Sequence, residues 1–325
     1  MKCDSVASLT EKYTLEVDGR VLALTNRQKL LWPADGITKG DLVAYYRRVA
    51  PYVLHHVARR PLTVERYPNG IDGPSFFEKN VSKGAPSWVE TVAVPSDSGK
   101  RDVVRFMLCN DEATLLYVAN LAAIVLHVWT SQAGSLDVPD FVFFDLDPFD
   151  GCTLATLAKT ALALRDLLDS VGLETLVKTS GGSGLHVVVP LEPAYGYDIC
   201  KGFAEIVART LHGRLPTTTT LERMQAKRPA GTVYLDYVQV GKGKTLVAPY
   251  SPRARARAPV SMPITWDEVE AMARKRAKET EPEFARFTLK NAPARLEKRG
   301  DLWGADYWNE QRLEPALKRA REAWA

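Results

Sequence analysis

Asp145-Leu146-Asp147 ends an apolar run, Phe141-Val142-Phe143-Phe144, so the sequence aims two carboxylates off the end of a buried strand. Strand side chains alternate, so Asp145 and Asp147 share a face, with Cα atoms roughly 6.5 Å apart. Two unpaired carboxylates this close repel and raise one pKa, which makes a divalent cation such as Mg²⁺ or Mn²⁺ the natural neutraliser. A third acid, Asp236, sits in Val233-Tyr234-Leu235-Asp236-Tyr237, where a lone charge among apolar partners is costly unless paired or metal-bound. Three acids from two strands suit two ions, one activating an attacking hydroxyl and the other neutralising a leaving pyrophosphate. A solvent-facing strand end is the bland alternative for D-x-D alone.

A second element is Val177-Lys178-Thr179-Ser180-Gly181-Gly182-Ser183-Gly184-Leu185-His186, a strand, a glycine-rich turn and another strand. Glycines permit positive φ and close approach, so the turn can offer backbone N–H groups to a phosphate chain. Ser180 adds a hydroxyl and His186 a ring N–H from the same side; an ordinary hairpin with a core histidine is the alternative. Arg253, in Pro249-Tyr250-Ser251-Pro252-Arg253, is placed to complete a triphosphate clamp. Gly243-Lys244-Thr245 is not a P-loop: Val238 stands where that motif needs glycine, and Leu246-Val247-Ala248-Pro249 is not helical.

The elements that carry these residues read as follows. Thr14 to Leu24 alternates around Asp18-Gly19 as a hairpin, followed by a loop from Thr25 to Ile37. Thr38 and Asp41 form a T-x-x-D cap for a helix from Lys39, with Pro51 expected to divide it from a further piece, Tyr52 to Ala58. Strands near Leu62–Arg66, Phe76–Lys79 and Trp88–Val94 suggest a small antiparallel sheet, and a helix is expected from Glu112 to His127. Thr153 caps a helix to Val171, with strands at Glu174–Lys178, Leu185–Pro190, Thr232–Val238 and Leu246–Ala248. Helices are expected at Asp198–Leu211 and Trp266–Lys278.

The 325 residues carry 43 Lys plus Arg against 39 Asp plus Glu, a net charge of +4 that permits a polyanionic partner without requiring one. Four cysteines lack C-x-x-C spacing, which argues against a zinc knuckle or disulfide framework. No apolar signal core and no run of about 18 apolar residues occurs, so the expectation is a cytoplasmic, nucleoid-associated protein with no membrane partner.

F-D-L-D-P at 144–148, K-T-S-G-G-S-G-L-H at 178–186, and L-D-Y followed by K-T-L-V-A-P-Y-S-P-R at 244–253 together resemble the polymerase domain of bacterial DNA ligase D, of the archaeo-eukaryotic primase superfamily. The resemblance extends through Asn26, Lys29, the stretch Gly36 to Asp41, Arg60-Pro61-Leu62 and Phe76-Phe77-Glu78-Lys79, and ends near Trp266-Asp267-Glu268. It implies an α+β fold of mainly antiparallel or mixed sheets with flanking helices. Residues 1–280 would form the primase-polymerase domain, with an N-terminal α/β DNA-end-binding part (1–130) and a catalytic part (131–280). Residues 281–325 would form a helical cap.

The same resemblance implies that Asp145, Asp147 and Asp236 hold two Mn²⁺ or Mg²⁺ ions. Ser180, Gly182, His186, His127 and Arg253 would bind the nucleoside triphosphate, and Asn26, Lys29 and Lys39 a 5′-phosphate. Phe76, Phe77 and Lys79 would meet the template. The implied activity is gap filling and end extension in non-homologous end joining with a taste for ribonucleotides, the partners being gapped or broken DNA, a Ku protein and a separate ligase. The chain departs from the family pattern at Val125, where glutamate is usual, Val240, where asparagine is common, and Ser183, where lysine is frequent. His55, His56 and His212 match nothing and are read as structural. Primer synthesis, a haloacid-dehalogenase-like phosphohydrolase with Asp145 as nucleophile, and a non-catalytic DNA-end-binding module are the alternatives.

Overall fold

The computed structural model describes residues 12–96, 102–275 and 286–324. Strands β1 (Lys12–Val17) and β2 (Arg20–Thr25) form the expected hairpin. Asp18 and Gly19 both take positive φ, 51° and 69°, the geometry that lets a two-residue turn follow strand twist. The segment expected as a loop is structured: β3 (Leu30–Trp32) and β4 (Ile37–Thr38) pair around a 3₁₀ turn, Pro33–Asp35, and Leu31 and Trp32 are wholly buried.

Helix α1 (Lys39–Val57) begins at the T-x-x-D signal, with Thr38 and Asp41 exchanging side-chain-to-backbone hydrogen bonds. Pro51 does not divide it. The ring lies on the exposed side while Val49, Ala50, Val53 and Val57 are buried, so packing of that face outweighs the one backbone hydrogen bond proline removes.

Strands β5 (Pro61–Arg66), β6 (Phe76–Glu78), β7 (Thr91–Pro95) and β8 (Val103–Leu108) follow, the last not anticipated from the sequence. Helix α2 (Glu112–Asn120) then stops short of the expected His127, and Ala123–Trp129 is strand β9. Ala122, at φ 56°, breaks the helix, and Ala123, Val125, Leu126 and Val128 pair with β5 instead. A continuous apolar run has no periodicity to separate buried helix from buried strand, and β-branching decided for strand.

The second sheet holds β10 (Phe141–Pro148), β11 (Leu176–Thr179), β12 (Leu185–Pro190), β13 (Thr219–Thr220), β14 (Val233–Asp236) and β16 (Pro263–Ile264), in the order β13-β14-β10-β12-β11-β16. Only β13–β14 is parallel in this sheet; the other neighbours are antiparallel. Strand β15 (Thr245–Val247) joins the first sheet, in the order β15-β9-β5-β8-β7 with β6 on β5.

Helices α3 (Leu154–Asp169) and α4 (Tyr197–Arg214) cover one face of the second sheet, where Phe144 meets Phe203 edge-on. Phe141, Phe143, Asp145 and Asp147 therefore turn to the other face. Phe141 and Phe143 are covered there by Val188, Leu246 and Trp303. Helix α5 (Trp266–Ala273) packs on α3 and ends at Ala273, capped by Arg274, short of the expected Lys278; residues 276–278 lie outside those described.

Beyond residue 285 lie α6 (Ala292–Arg299) and α7 (Leu313–Ala323). Glu297 pairs with Arg48 of α1, and Arg319 donates to the Val171 carbonyl at 2.6 Å. Among the described residues the fold is α+β, with seven α-helices, and no helix is long and apolar enough to cross a membrane.

Candidate nucleotidyl-transfer site

Strand register brings the expected residues into one line. Lys178 pairs with His186, His186 with Asp145, and Asp145 with Asp236, so β11, β12, β10 and β14 each contribute one polar side chain to a row across the sheet. Asp147, two residues on, shares that face opposite Tyr234. The three acids thus come together because antiparallel pairing aligns residues distant in sequence.

Asp145 is 22% exposed at its side chain, yet its Oδ1 is buried without a hydrogen-bond partner. His186 Nε2 lies 3.4 Å away. Burial raises Asp145 to about 6 against the opposing pull of Lys178, Arg253 and Arg228. Burial, then the charge of Asp145 and also of Asp236, raises Asp147 to about 7, with Arg228 and Arg255 acting in the opposite sense.

Asp236 accepts from Val238 N at 3.1 Å and Gln239 Nε2 at 3.2 Å, inside the 3₁₀ turn Tyr237–Gln239. Among the described residues no three acidic, histidine or cysteine side chains are already gathered as a ligand set. An orphaned carboxylate oxygen beside two further acids, of which Asp147 is pushed up by burial and by the Asp145 charge, is a donor set that suits a hard divalent cation.

The glycine turn is tighter than expected. Ser180 Oγ accepts from both Gly182 N and Gly184 N at 3.1 Å, so two N–H groups anticipated for phosphate are satisfied internally, leaving the Ser180 hydroxyl proton as the donor. Gly184 is required by crowding, since a Cβ there would lie 2.6 Å from the Leu146 carbonyl oxygen. Gly181 combines φ 70° with a Cβ position 2.7 Å from Arg253 Cγ. Arg253 reaches this turn because residues 248–262 link the sheets: Ala248 N donates to Leu126 O, Tyr250 N to Ser261 O, and Thr179 N to Met262 O. Arg253 Nη1 then donates to Ser180 O at 3.4 Å.

His127 enters from the first sheet, on β9 rather than a helix end, opposite Thr63 and Val247. Its Nε2 is buried and unpartnered, and Phe77 lies over the ring at 5.7 Å. Burial and the charges of Arg253, Lys178 and His186 push it down to about 3, so the ring is neutral. The sequence assigned no role to Lys178, Arg228 or Arg255. Lys178 was detectable as a charge on the strand that leads into the glycine turn, and Arg255 as part of the basic stretch Arg253 to Arg257, whereas Arg228 lies in an irregular segment without periodicity.

Asn26, Lys29 and Lys39 are also brought together: Lys29 N donates to Asn26 O at 3.0 Å and Lys39 N to Lys29 O at 2.8 Å. Lys29 is half-buried and donates to Asn69 Oδ1 at 3.0 Å. Lys39 is buried, and its ammonium donates to Thr25 Oγ1, Asn120 O and Asn120 Oδ1, which occupies all three protons. Burial and the Lys29 charge lower it to about 8.

Phe76 and Phe77 are 46% and 60% exposed and, with Lys79 and Lys83, line an open groove of about 930 Å³. Val125 and Val240 are buried; Glu65 stands opposite Val125 on the neighbouring strand, and Ser183 is exposed. His56 contacts Asp301 at 2.8 Å and His212 contacts Thr219 at 2.9 Å, both within the fold, while His55 is exposed.

The family described as LigD, primase-polymerase domain, matches residues 38–303. A multifunctional non-homologous end joining DNA repair protein LigD of Mycobacterium tuberculosis is 35% identical over 289 residues, 86% of this chain and 36% of that protein. A bifunctional non-homologous end joining protein LigD of Bacillus subtilis is 31% identical over 291 residues, covering 89% of this chain and 45% of that protein. The chain thus spans less than half the length of these relatives. The solved polymerase domain from Mycobacterium tuberculosis ligase D in complex with DNA superposes with a TM-score of 0.78 at 34% identity, over 87% of this chain and 96% of that one.

Proposed function

Because this chain belongs to the LigD primase-polymerase family, and is thereby a nucleotidyltransferase, we propose that it extends the 3′ end of DNA against a template at gaps and breaks during non-homologous end joining. The observation that carries the reading is the in-register row His186, Asp145 and Asp236 with Asp147 beside it, one carboxylate oxygen of which has no partner. Family membership leaves the phosphohydrolase alternative without support.

In this reading Asp145, Asp147 and Asp236 hold two Mn²⁺ or Mg²⁺ ions. Bound there, the ions would lower the pKa of the 3′-hydroxyl and offset charge on the leaving pyrophosphate. The hydroxyl of Ser180, the ring N–H of His186, the neutral His127 ring and the Arg253 guanidinium orient the triphosphate, with Gly182 keeping the turn open to it. Arg253 suits this task because its fork matches phosphate oxygens.

Lys29 and Asn26 are placed for a recessed 5′-phosphate, with Lys39 contributing its charge rather than a free donor. Phe76 and Phe77 are available to stack on template bases, and Lys79 to meet a backbone phosphate. The proposal includes a preference for ribonucleotides, use of Mn²⁺, and cooperation with a Ku protein and a separate ligase.

The test is extension of a gapped, 5′-phosphorylated template by the purified protein. Metal-dependent addition is expected, falling at least about 10²–10³-fold in Asp145→Ala, the scale for loss of a preorganised electrostatic group. Undiminished addition by that variant removes the proposal. End binding without extension selects the non-catalytic alternative, and synthesis without any 3′ end selects primer formation.

A further inference from the structure

Lys178 is wholly buried in the middle of strand β11, and its only described side-chain hydrogen-bond partners are Ser261 and His186. A lysine in such a place is unfavourable unless its N–H groups are used. Lys178 Nζ lies 2.6 Å from Ser261 Oγ and 2.7 Å from His186 Nδ1. The far ring nitrogen, His186 Nε2, faces the unpartnered Asp145 Oδ1. The direction of each hydrogen bond can be worked out from the two ends of this chain.

At one end, Ser261 Oγ donates its single proton to Thr179 O at 2.9 Å, so it must accept from Lys178. At the other end, an ionised Asp145 has only lone pairs to offer, so the ring edge facing it is satisfied by N–H and repelled by a bare nitrogen. Lys178 therefore donates to Nδ1, and the neutral His186 ring carries its proton on Nε2. This assignment holds for either charge state of the lysine, since an amine still has one N–H for each acceptor. Burial and the charges of Lys178 and Arg253 hold His186 well below the usual histidine range, consistent with a neutral ring.

We propose that Lys178, anchored by Ser261, is a positioning residue that fixes His186 as its Nε2–H tautomer and aims that N–H at the site shared by Asp145 and the incoming nucleotide. The inference rests on the nucleotidyl-transfer reading for its consequence, though its geometry stands apart from it. The same logic governs other histidines whose working nitrogen is set by the hydrogen bond at the opposite one. Lys178 touches neither substrate nor reacting atoms in this arrangement; it acts through the ring.

Two measurements test it. With only five histidines in the chain, ¹⁵N-histidine labelling should resolve His186 as a neutral Nε2–H ring, and Lys178→Met should shift it toward a mixture of tautomers. In single-turnover nucleotide addition, Lys178→Met should lose about 10–100-fold in rate, as removal of a supporting partner does elsewhere. In a His186→Gln background the same substitution should cost less than about twofold, because coupled residues are not additive.

An unchanged tautomer in Lys178→Met, or additive losses in the double variant, overturns the proposal. Should Lys178→Met fail to fold, Ser261→Ala replaces it and should loosen the tautomer in the same direction with a smaller loss; an unmoved spectrum there is equally fatal. If the unmodified protein adds no nucleotide, the functional reading fails while the labelled spectrum still decides the role of Lys178.

Discussion

The face of the second sheet that carries Asp145 and the corner beneath the N-terminal hairpin both bury charge, and they treat it in opposite ways. At the corner, Lys39 spends all three ammonium protons on Thr25 and Asn120. On the sheet face and beside it, Asp145 Oδ1 and His127 Nε2 are buried without a hydrogen-bond partner. Burying a polar atom without a partner costs free energy, so a fold tolerates it chiefly where a ligand supplies the missing contact. The contrast separates a lysine that holds the structure together from a set of residues held ready. Resemblance alone placed both in binding roles.

The sharpest way to break this comparison is Lys39→Met. Removing the ammonium takes the donor from the half-buried Thr25 hydroxyl and Asn120 carbonyl and leaves Asn120 Oδ1 with only the Thr25 N–H, and unfolding titrations should show a loss of about 1–3 kcal/mol. A stability unchanged from the parent would mean that the corner is not structural and that Lys39 is free for a phosphate after all.

Asp147→Asn probes the other side, with an effect that depends on pH. Asp147 titrates at about 7 when folded, pushed up by burial and by Asp145, against about 3.9 for a free aspartate. Between those values the folded state binds more protons than the unfolded state, so stability of the metal-free protein falls as pH rises from about 4 to about 7. Asparagine cannot ionise. The variant should therefore match the parent near pH 4 and melt at a higher temperature at pH 8, and Mn²⁺ should raise the melting temperature of the parent more. A variant that melts lower at pH 8 would show Asp147 to be stabilised rather than strained by its neighbours.

The smallest effect on stability belongs to Lys29→Ala. Lys29 is half-buried and its one described side-chain hydrogen bond, to Asn69, lies at the surface, so the change should cost no more than about 1 kcal/mol of stability. It should nonetheless reduce the preference for 5′-phosphorylated over 5′-hydroxyl ends in a salt-dependent binding assay. An equal affinity for both ends before and after substitution would remove Lys29 from the phosphate site.

Local signals were legible where chemistry is local. The Thr38–Asp41 cap, the Asp18-Gly19 turn, the Asp145–Asp147 strand and the Ser180–Gly184 turn all fell where their residue types required. Two local signals misled. Pro51 is tolerated because its ring faces outward, and the stretch to His127 lacks the periodicity that separates helix from strand.

The amino-acid sequence by itself determined the α+β class, the family, and which acids and basic residues were candidates, because these depend on residue type and short spacing. The tertiary structure alone decided that Asp236 stands beside Asp145, that Lys178 reaches His186, that Arg253 is delivered by a crossing between sheets, and that Lys39 is enclosed. The reason is that strand register is a long-range property. It is set by which strands pair across the sheet and by what is buried on each face, and a one-residue slip would turn every one of these side chains away from the others.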